Sequence, residues 1–185
     1  MKNLLVLLTP LLLFSPITFG QTNKEIGIRS NNINNLGIIY KKQRKENSFV
    51  RYRLAMTSLN MTISENNLIV NGQLGFSIGW EKRVSVSDKF QFKHGFEPFL
   101  RGGLNENFNN NFGNTNLDLD AGLGYILGFI YHFNEKFYLG IETIPSISVG
   151  STLVNGTSPG IIRINSGFNS NVAAISAVYK FQSKN

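Results

Sequence analysis

Cysteine is missing from this 185-residue chain, which excludes a disulfide framework, a thiolate metal site and a lipoprotein anchored through a lipidated cysteine. Beyond the first twenty residues, long apolar runs are missing too. No later segment offers the ~20 consecutive apolar residues that a membrane-spanning helix takes. Carboxylates are scarce: 11 Asp and Glu stand against 18 Lys and Arg, a formal net charge of +7. A basic surplus can mark a nucleic-acid binder, but here the basic residues are dispersed and no DNA- or RNA-binding motif accompanies them. No nucleic acid partner is expected.

The chain opens with a secretory pattern. MKNLLVLLTPLLLFSPITFG has a basic start at Lys2, an apolar centre from Leu4 to Phe14 and a small-residue exit at Gly20. This predicts a cleavable signal peptide over 1–20, with processing before Gln21. A transmembrane helix is the competing reading, but the run is short for one and is broken by Pro10 and Pro16. The remainder, 21–185, suffices for one domain.

That remainder is organised by alternation. In NLDLDAGLGYILGFIYHF, residues 116–133, the odd positions from Leu117 to Phe133 are all apolar. The even positions, among them Asn116, Asp118, Asp120, Gly122, Gly124, Gly128 and His132, are mostly polar or small. A period of two this long is a β-strand, because side chains alternate across a pleated backbone. One face is apolar over roughly the ~9–11 residues that a tilted strand needs to cross hydrocarbon. The pattern recurs, and predicts strands over 24–30, 36–41, 49–59, 73–83, 90–103, 116–133, 136–150 and 168–181. None is apolar on both faces, which excludes a parallel α/β sheet.

The connections sort into short and long. Lys42–Ser48, Val84–Lys89 and Asn134–Glu135 are compact, whereas Asn105–Thr115 and Ser151–Gly167 are long and rich in Asn, Gly and Ser, with Thr62–Gly72 between. Short and long alternate along the chain, as periplasmic turns and outer loops do in an even-stranded outer-membrane barrel. Tyr40, Trp80, Phe90, Phe92, Tyr131, Phe133, Phe137, Tyr179 and Phe181 fall near the short-turn ends, as an interfacial aromatic belt would. The predicted fold is all-β: an eight-stranded antiparallel transmembrane β-barrel after a signal peptide. A soluble lipocalin-like binding barrel alternates in the same way and stays open, since the sequence does not state which face points inward.

In the membrane reading the polar face lines the lumen and carries Glu25, Arg29, Arg51, Arg53, Glu81, Arg83, Lys93, Glu97, Arg101, Asp118, Asp120 and Glu142. Eight strands leave an interior that side chains can fill, and charges enclosed there should pair, since an unpaired buried charge costs several kcal/mol. The polar face is therefore expected to be a structural charge network. A small-solute pore is the alternative, although channels belong to larger barrels. Asp118 and Asp120 share a face beside a long loop and are the best candidates for a calcium site. Catalysis finds no support: His94 lies on the apolar face without a neighbouring serine, and His132 is at the far end of its strand from the aspartates. No catalytic residue, cofactor or resident metal is expected. The basic run KKQRKE, 41–46, reads as a solvated turn that could meet anionic headgroups at the inner rim. The Asn-x-Thr sites at Asn60 and Asn155 read as chance matches in an Asn-rich chain.

The signal peptide, HFNEKFYLGIE at 132–142, SDKFQFKHGFEPFL at 87–100 and the terminal AISAVYKF together resemble the small outer-membrane β-barrel proteins of Bacteroidota, the porin-family or PorT-like barrels. The resemblance covers the mature chain as a pattern. It implies export by the general secretion route, insertion by the outer-membrane assembly machinery and residence among outer-membrane lipids. That machinery favours a final strand ending in an aromatic, and here Phe181 is followed by four more residues. Family members mostly have no assigned activity, so no active residue is implied. The expected role is a non-enzymatic, structural or surface-interaction barrel whose Asn-rich loops offer a face to an extracellular ligand.

Overall fold

The structure, a computed structural model, describes residues 22–32, 35–64, 67–109, 112–154, 159–167 and 173–183. The predicted signal peptide lies outside them, as does Asn155. The described residues form ten strand segments: β1 (Thr22–Asn32), β2 (Asn35–Lys45), β3 (Ser48–Ser64), β4 (Asn67–Ser85), β5 (Phe90–Asn109), β6 (Phe112–His132), β7 (Phe137–Thr143), β8 (Ser146–Val154), β9 (Pro159–Gly167) and β10 (Ala173–Ser183). Every pairing is antiparallel, and β1 closes the circle on β10.

Ten segments make eight staves. β7 and β8 run one after the other along β6, interrupted only at Ile144–Pro145. Proline has no N–H to give to a ladder, yet the break stays tied to its neighbour because the Tyr125 N–H donates to the Pro145 carbonyl at 2.9 Å. β9 continues past β8 and β10 past β7, so these two share the eighth stave. The result is the closed eight-stranded antiparallel barrel that the alternation predicts.

The stave lengths differ from expectation on one side. Ladder pairing continues through most of the three segments expected to be loops, to Ser64↔Asn67, Asn109↔Phe112 and Leu153↔Pro159. The whole of β9 falls in a stretch expected to be loop. Asn, Ser and Thr on a strand report solvent around its faces and do not prevent its backbone from pairing, so polarity there was no sign of a missing ladder. At the other end the turns are tight, at Glu46–Asn47 and over 86–89 and 133–136. Asn47 has φ 59°, a left-handed conformation that Asn tolerates better than most residues. The Asn134 Oδ1 accepts the N–H groups of Lys136 and Phe137 at 2.9 and 2.8 Å, closing its turn through a side chain.

The two faces are sharply divided. Ile28, Ile38, Leu54, Leu74, Phe76, Leu100, Phe129, Ile141 and Ile175 point outward and are exposed, as is Trp80 at 56%. Arg51, Glu81, Lys93 and Glu97 point into the lumen with no exposed surface. A lipocalin-like barrel has its apolar face inside, so this division removes that alternative. At the short-turn end the outward aromatics touch: Phe90 with Tyr131 across the β5–β6 ladder and Tyr131 with Phe133 along the chain, each with ring centroids 5.0 Å apart, and further up the same ladder Phe96 and Tyr125 lie 4.9 Å apart.

Candidate functional site: a charged lumen

The period of two sends Glu25, Arg29, Arg51, Arg53, Glu81, Arg83, Lys93, Glu97 and Glu142 into one small space, and the side chains meet there. Glu142 is the hub. Arg51 grips it with two parallel bonds, Nη1 to Oε2 and Nη2 to Oε1, both 2.9 Å. The Arg29 Nε reaches Oε1 at 2.6 Å and the Lys93 Nζ reaches Oε2 at 2.7 Å. Arg51 extends the network through its Nε to Glu97 at 2.9 Å, and Arg53 binds the other Glu97 oxygen. Toward the short turns, Glu81 pairs with Lys41 and Arg83, each at 2.8 Å. Arg83 then reaches Glu25 at 2.6 Å, and the Tyr138 hydroxyl donates to the same Glu25 oxygen at 2.6 Å.

These contacts join six cations and four carboxylates into one connected network with two surplus positive charges. Buried ion pairs repay their desolvation only where geometry is good and remaining hydrogen-bonding groups are satisfied. Bidentate Arg–carboxylate pairing of the Arg51–Glu142 kind supplies that geometry.

Room for these long side chains comes from glycine. Arg51 stands directly across from Gly79, Lys93 and Glu142 from Gly128, Glu97 from Gly124, Glu81 from Gly95 and Arg29 from Gly37. A Cβ on Gly79 would lie 2.8 Å from the Arg51 Cγ, and one on Gly128 would lie 2.8 Å from the Lys93 Cε. The glycine density of the polar face is the steric counterpart of its charge.

Three expected network members stand apart. Arg101 faces Asp120 in the ladder without an ion pair between them, and its guanidinium lies 4.1 Å above the Phe99 ring. Asp118 accepts from the Thr152 hydroxyl at 2.5 Å and from Arg163 at 2.8 Å. A cation already holds Asp118, which opposes the calcium alternative at the Asp118–Asp120 pair. Among the described residues no group of three His, Asp or Glu side chains is arranged to hold a metal.

Sequence reasoning missed Lys41, Tyr138 and Arg163. Lys41 is 1% exposed in the network, although its sequence context, KKQRKE, reads as a solvated turn. Its position one residue from the outward-facing Lys42 was the available signal. Tyr138 lies on the polar face by the same alternation, next to Ile130 and Val178 in the small apolar cluster of the lumen. Beyond these, the short-turn end opens as a cavity of about 620 Å³ lined by Asn23, Asn47, Gln91, Lys136, Lys180 and Gln182, with Glu25 and Arg83 among its walls.

No family model matches the chain, and no curated protein matches it. The narrower resemblance to Bacteroidota-type barrels therefore gains no support, whereas the barrel itself is present. Similar solved structures include Ail, the attachment invasion locus protein of Yersinia pestis, at 9% identity and TM-score 0.47, covering 87% of this chain and 95% of that one. Ail in complex with the heparin analogue sucrose octasulfate gives 10% identity, TM-score 0.48 and the same coverage, 87% and 95%. Neisserial surface protein A, NspA, gives 10% identity and TM-score 0.43 over 89% of this chain and 95% of that one. At these identities and scores nothing about binding passes from those proteins to this chain.

Proposed function

We propose that the chain is a non-enzymatic integral β-barrel of the bacterial outer membrane, with a lumen closed by its own ion pairs and a structural or surface-interaction role. The observation that carries this reading is the inversion of the barrel: charges inside, a continuous apolar band outside. Soluble monomers rarely expose apolar patches beyond a few hundred Å², and each exposed Leu, Ile or Phe forgoes about 1.5–3 kcal/mol of burial in water. Hydrocarbon removes that cost. The tight turns and aromatics then face the periplasm, and the extended β3–β4, β5–β6 and β8–β9 hairpins face outward. Rigid scaffolds with protruding connections are where binding usually resides. Export through residues 1–20 and insertion by the assembly machinery belong to the same reading. The connected network argues against a small-solute pore, because it occupies the space that water would need.

Protease treatment of intact cells tests location and orientation together. Cleavage is expected within 105–115 or 151–167, with 42–48 spared. Cleavage confined to 42–48 would reverse the orientation, and recovery in the soluble periplasmic fraction would overturn the membrane reading. Deleting the tips of the β5–β6 and β8–β9 hairpins, within 105–115 and 151–167, while keeping the barrel tests the surface role. Unchanged binding to cells or matrix would leave a structural role alone.

A further inference from the structure

The outer wall at the short-turn end differs around its circumference. On β5, β6, β7 and β10 the outward positions there hold Phe90, Phe92, Tyr131, Phe137 and Tyr179, and no Lys, Arg, Asp or Glu. On β1, β2 and β4 they hold Lys24, Lys42 and Lys82, with no outward carboxylate on β1 to β4 within the described side chains. Lys24 and Lys42 are direct partners in the β1–β2 ladder. Like charges directly opposite one another destabilise a strand pair. Among the described residues neither has an ion pair, and nor does Lys82.

The same patch is ordered on its apolar side. Val50 lies between Lys42 and Trp80 in the ladders and faces outward, yet it is only 8% exposed, so neighbouring side chains close over it. One pair further toward the apolar band, the Tyr40 and Tyr52 rings lie 6.1 Å apart. Beyond them come Ile26, Ile38 and Leu54.

We propose that Lys24, Lys42 and Lys82 form a docking site for the anionic headgroup of a phospholipid in the leaflet at the short-turn end. A phosphate between Lys24 and Lys42 turns a repulsive pair into two attractions. Trp80, Tyr40 and Tyr52 sit at headgroup depth, where amphipathic rings are favoured, and the acyl chains continue along the aliphatic band. Basic side chains at a membrane surface recruit anionic lipid in this way. The inference rests on the membrane reading above.

The test reconstitutes the full barrel in phosphatidylcholine vesicles and compares the association of spin-labelled phosphatidylglycerol with that of spin-labelled phosphatidylcholine. The wild type is expected to prefer phosphatidylglycerol several-fold. Lys24→Gln, Lys42→Gln and Lys82→Gln should each lower the preference by up to about fivefold, while the variants still insert and resist protease. An inserted wild type without preference, or a preference that survives the triple substitution, overturns the site. Displacement by inorganic phosphate at matched ionic strength reassigns it to free phosphate and overturns the lipid assignment. Failure to enter any vesicle overturns the membrane reading itself, a result distinct from insertion without preference.

Discussion

Arg51 stands directly across the β3–β4 ladder from Gly79, and its side chain passes over the space where a Cβ would be. That space lets the guanidinium reach Glu142 with two bonds while its Nε faces Glu97. Charge and glycine are therefore one device: a narrow barrel holds long ionic side chains only where the opposing position has no bulk.

Gly79→Val should accordingly lower the unfolding free energy by about 1–3 kcal/mol, the usual range for overpacking, read from denaturant unfolding of the vesicle-inserted barrel. Gly102→Val is the control. A Cβ there meets nothing nearer than a Leu119 methyl at 3.9 Å, so little change is expected. Equal losses at both sites would point to strand propensity instead of lumen packing.

Glu142→Gln keeps the shape of the hub and removes the charge shared by Arg29, Arg51 and Lys93. Leaving buried charge uncompensated costs about 3–5 kcal/mol, so a large drop in the unfolding midpoint is expected. Asp118→Asn removes a carboxylate whose partner Arg163 sits in a half-open position, and solvent screening should leave the midpoint nearly unchanged. A reversal of this order would remove the network from the stability account.

Lys41 and Lys42 separate the two faces within one peptide bond. Lys41→Gln breaks a buried pair with Glu81 and should cost on the order of 3 kcal/mol, measured by the same unfolding assay. Lys42→Gln should cost nothing, and in uncharged vesicles should raise stability slightly by relieving Lys24. Equal effects would contradict the register of β2.

Planar-bilayer recording of the purified barrel should be silent, since the ion pairs span the lumen. Steady ion-selective conductance that changes on Arg51→Ala or Glu142→Ala would promote the pore and reject the plug.

The sequence was legible where side-chain phase alone decides the outcome. Asp118 to His132 keep one phase, with Ile126 and Ile130 the apolar exceptions on the inner face, so the outward and inward sets could be read directly, and Arg51, Glu81, Lys93, Glu97 and Glu142 followed from the same phase. It was less legible where composition and phase compete. Lys41 opens a run of six charged or polar residues, 41–46, that looks like a turn, yet β2 continues through it to Lys45. β9, PGIIRINSG, has turn-forming residues at both ends and Ile161, Ile162 and Ile164 between, and its pairing with β8 outweighs them. Which charges meet was not legible: Arg101 and Asp120 are ladder partners without an ion pair, whereas Arg51 and Glu142 meet from opposite sides of the barrel, on β3 and β7. Those distances depend on barrel closure and shear, which no local pattern encodes.

Trp80 offers the most direct test of the central claim, because it is the sole tryptophan and it points outward at the edge of the apolar band. Its fluorescence should be measured in vesicles whose acyl chains carry bromine at defined depths. The account predicts strong quenching by bromines near the headgroup end of the chains, with little quenching by aqueous iodide. Efficient iodide quenching with no response to lipid bromine would place Trp80 in water and contradict a membrane-embedded barrel.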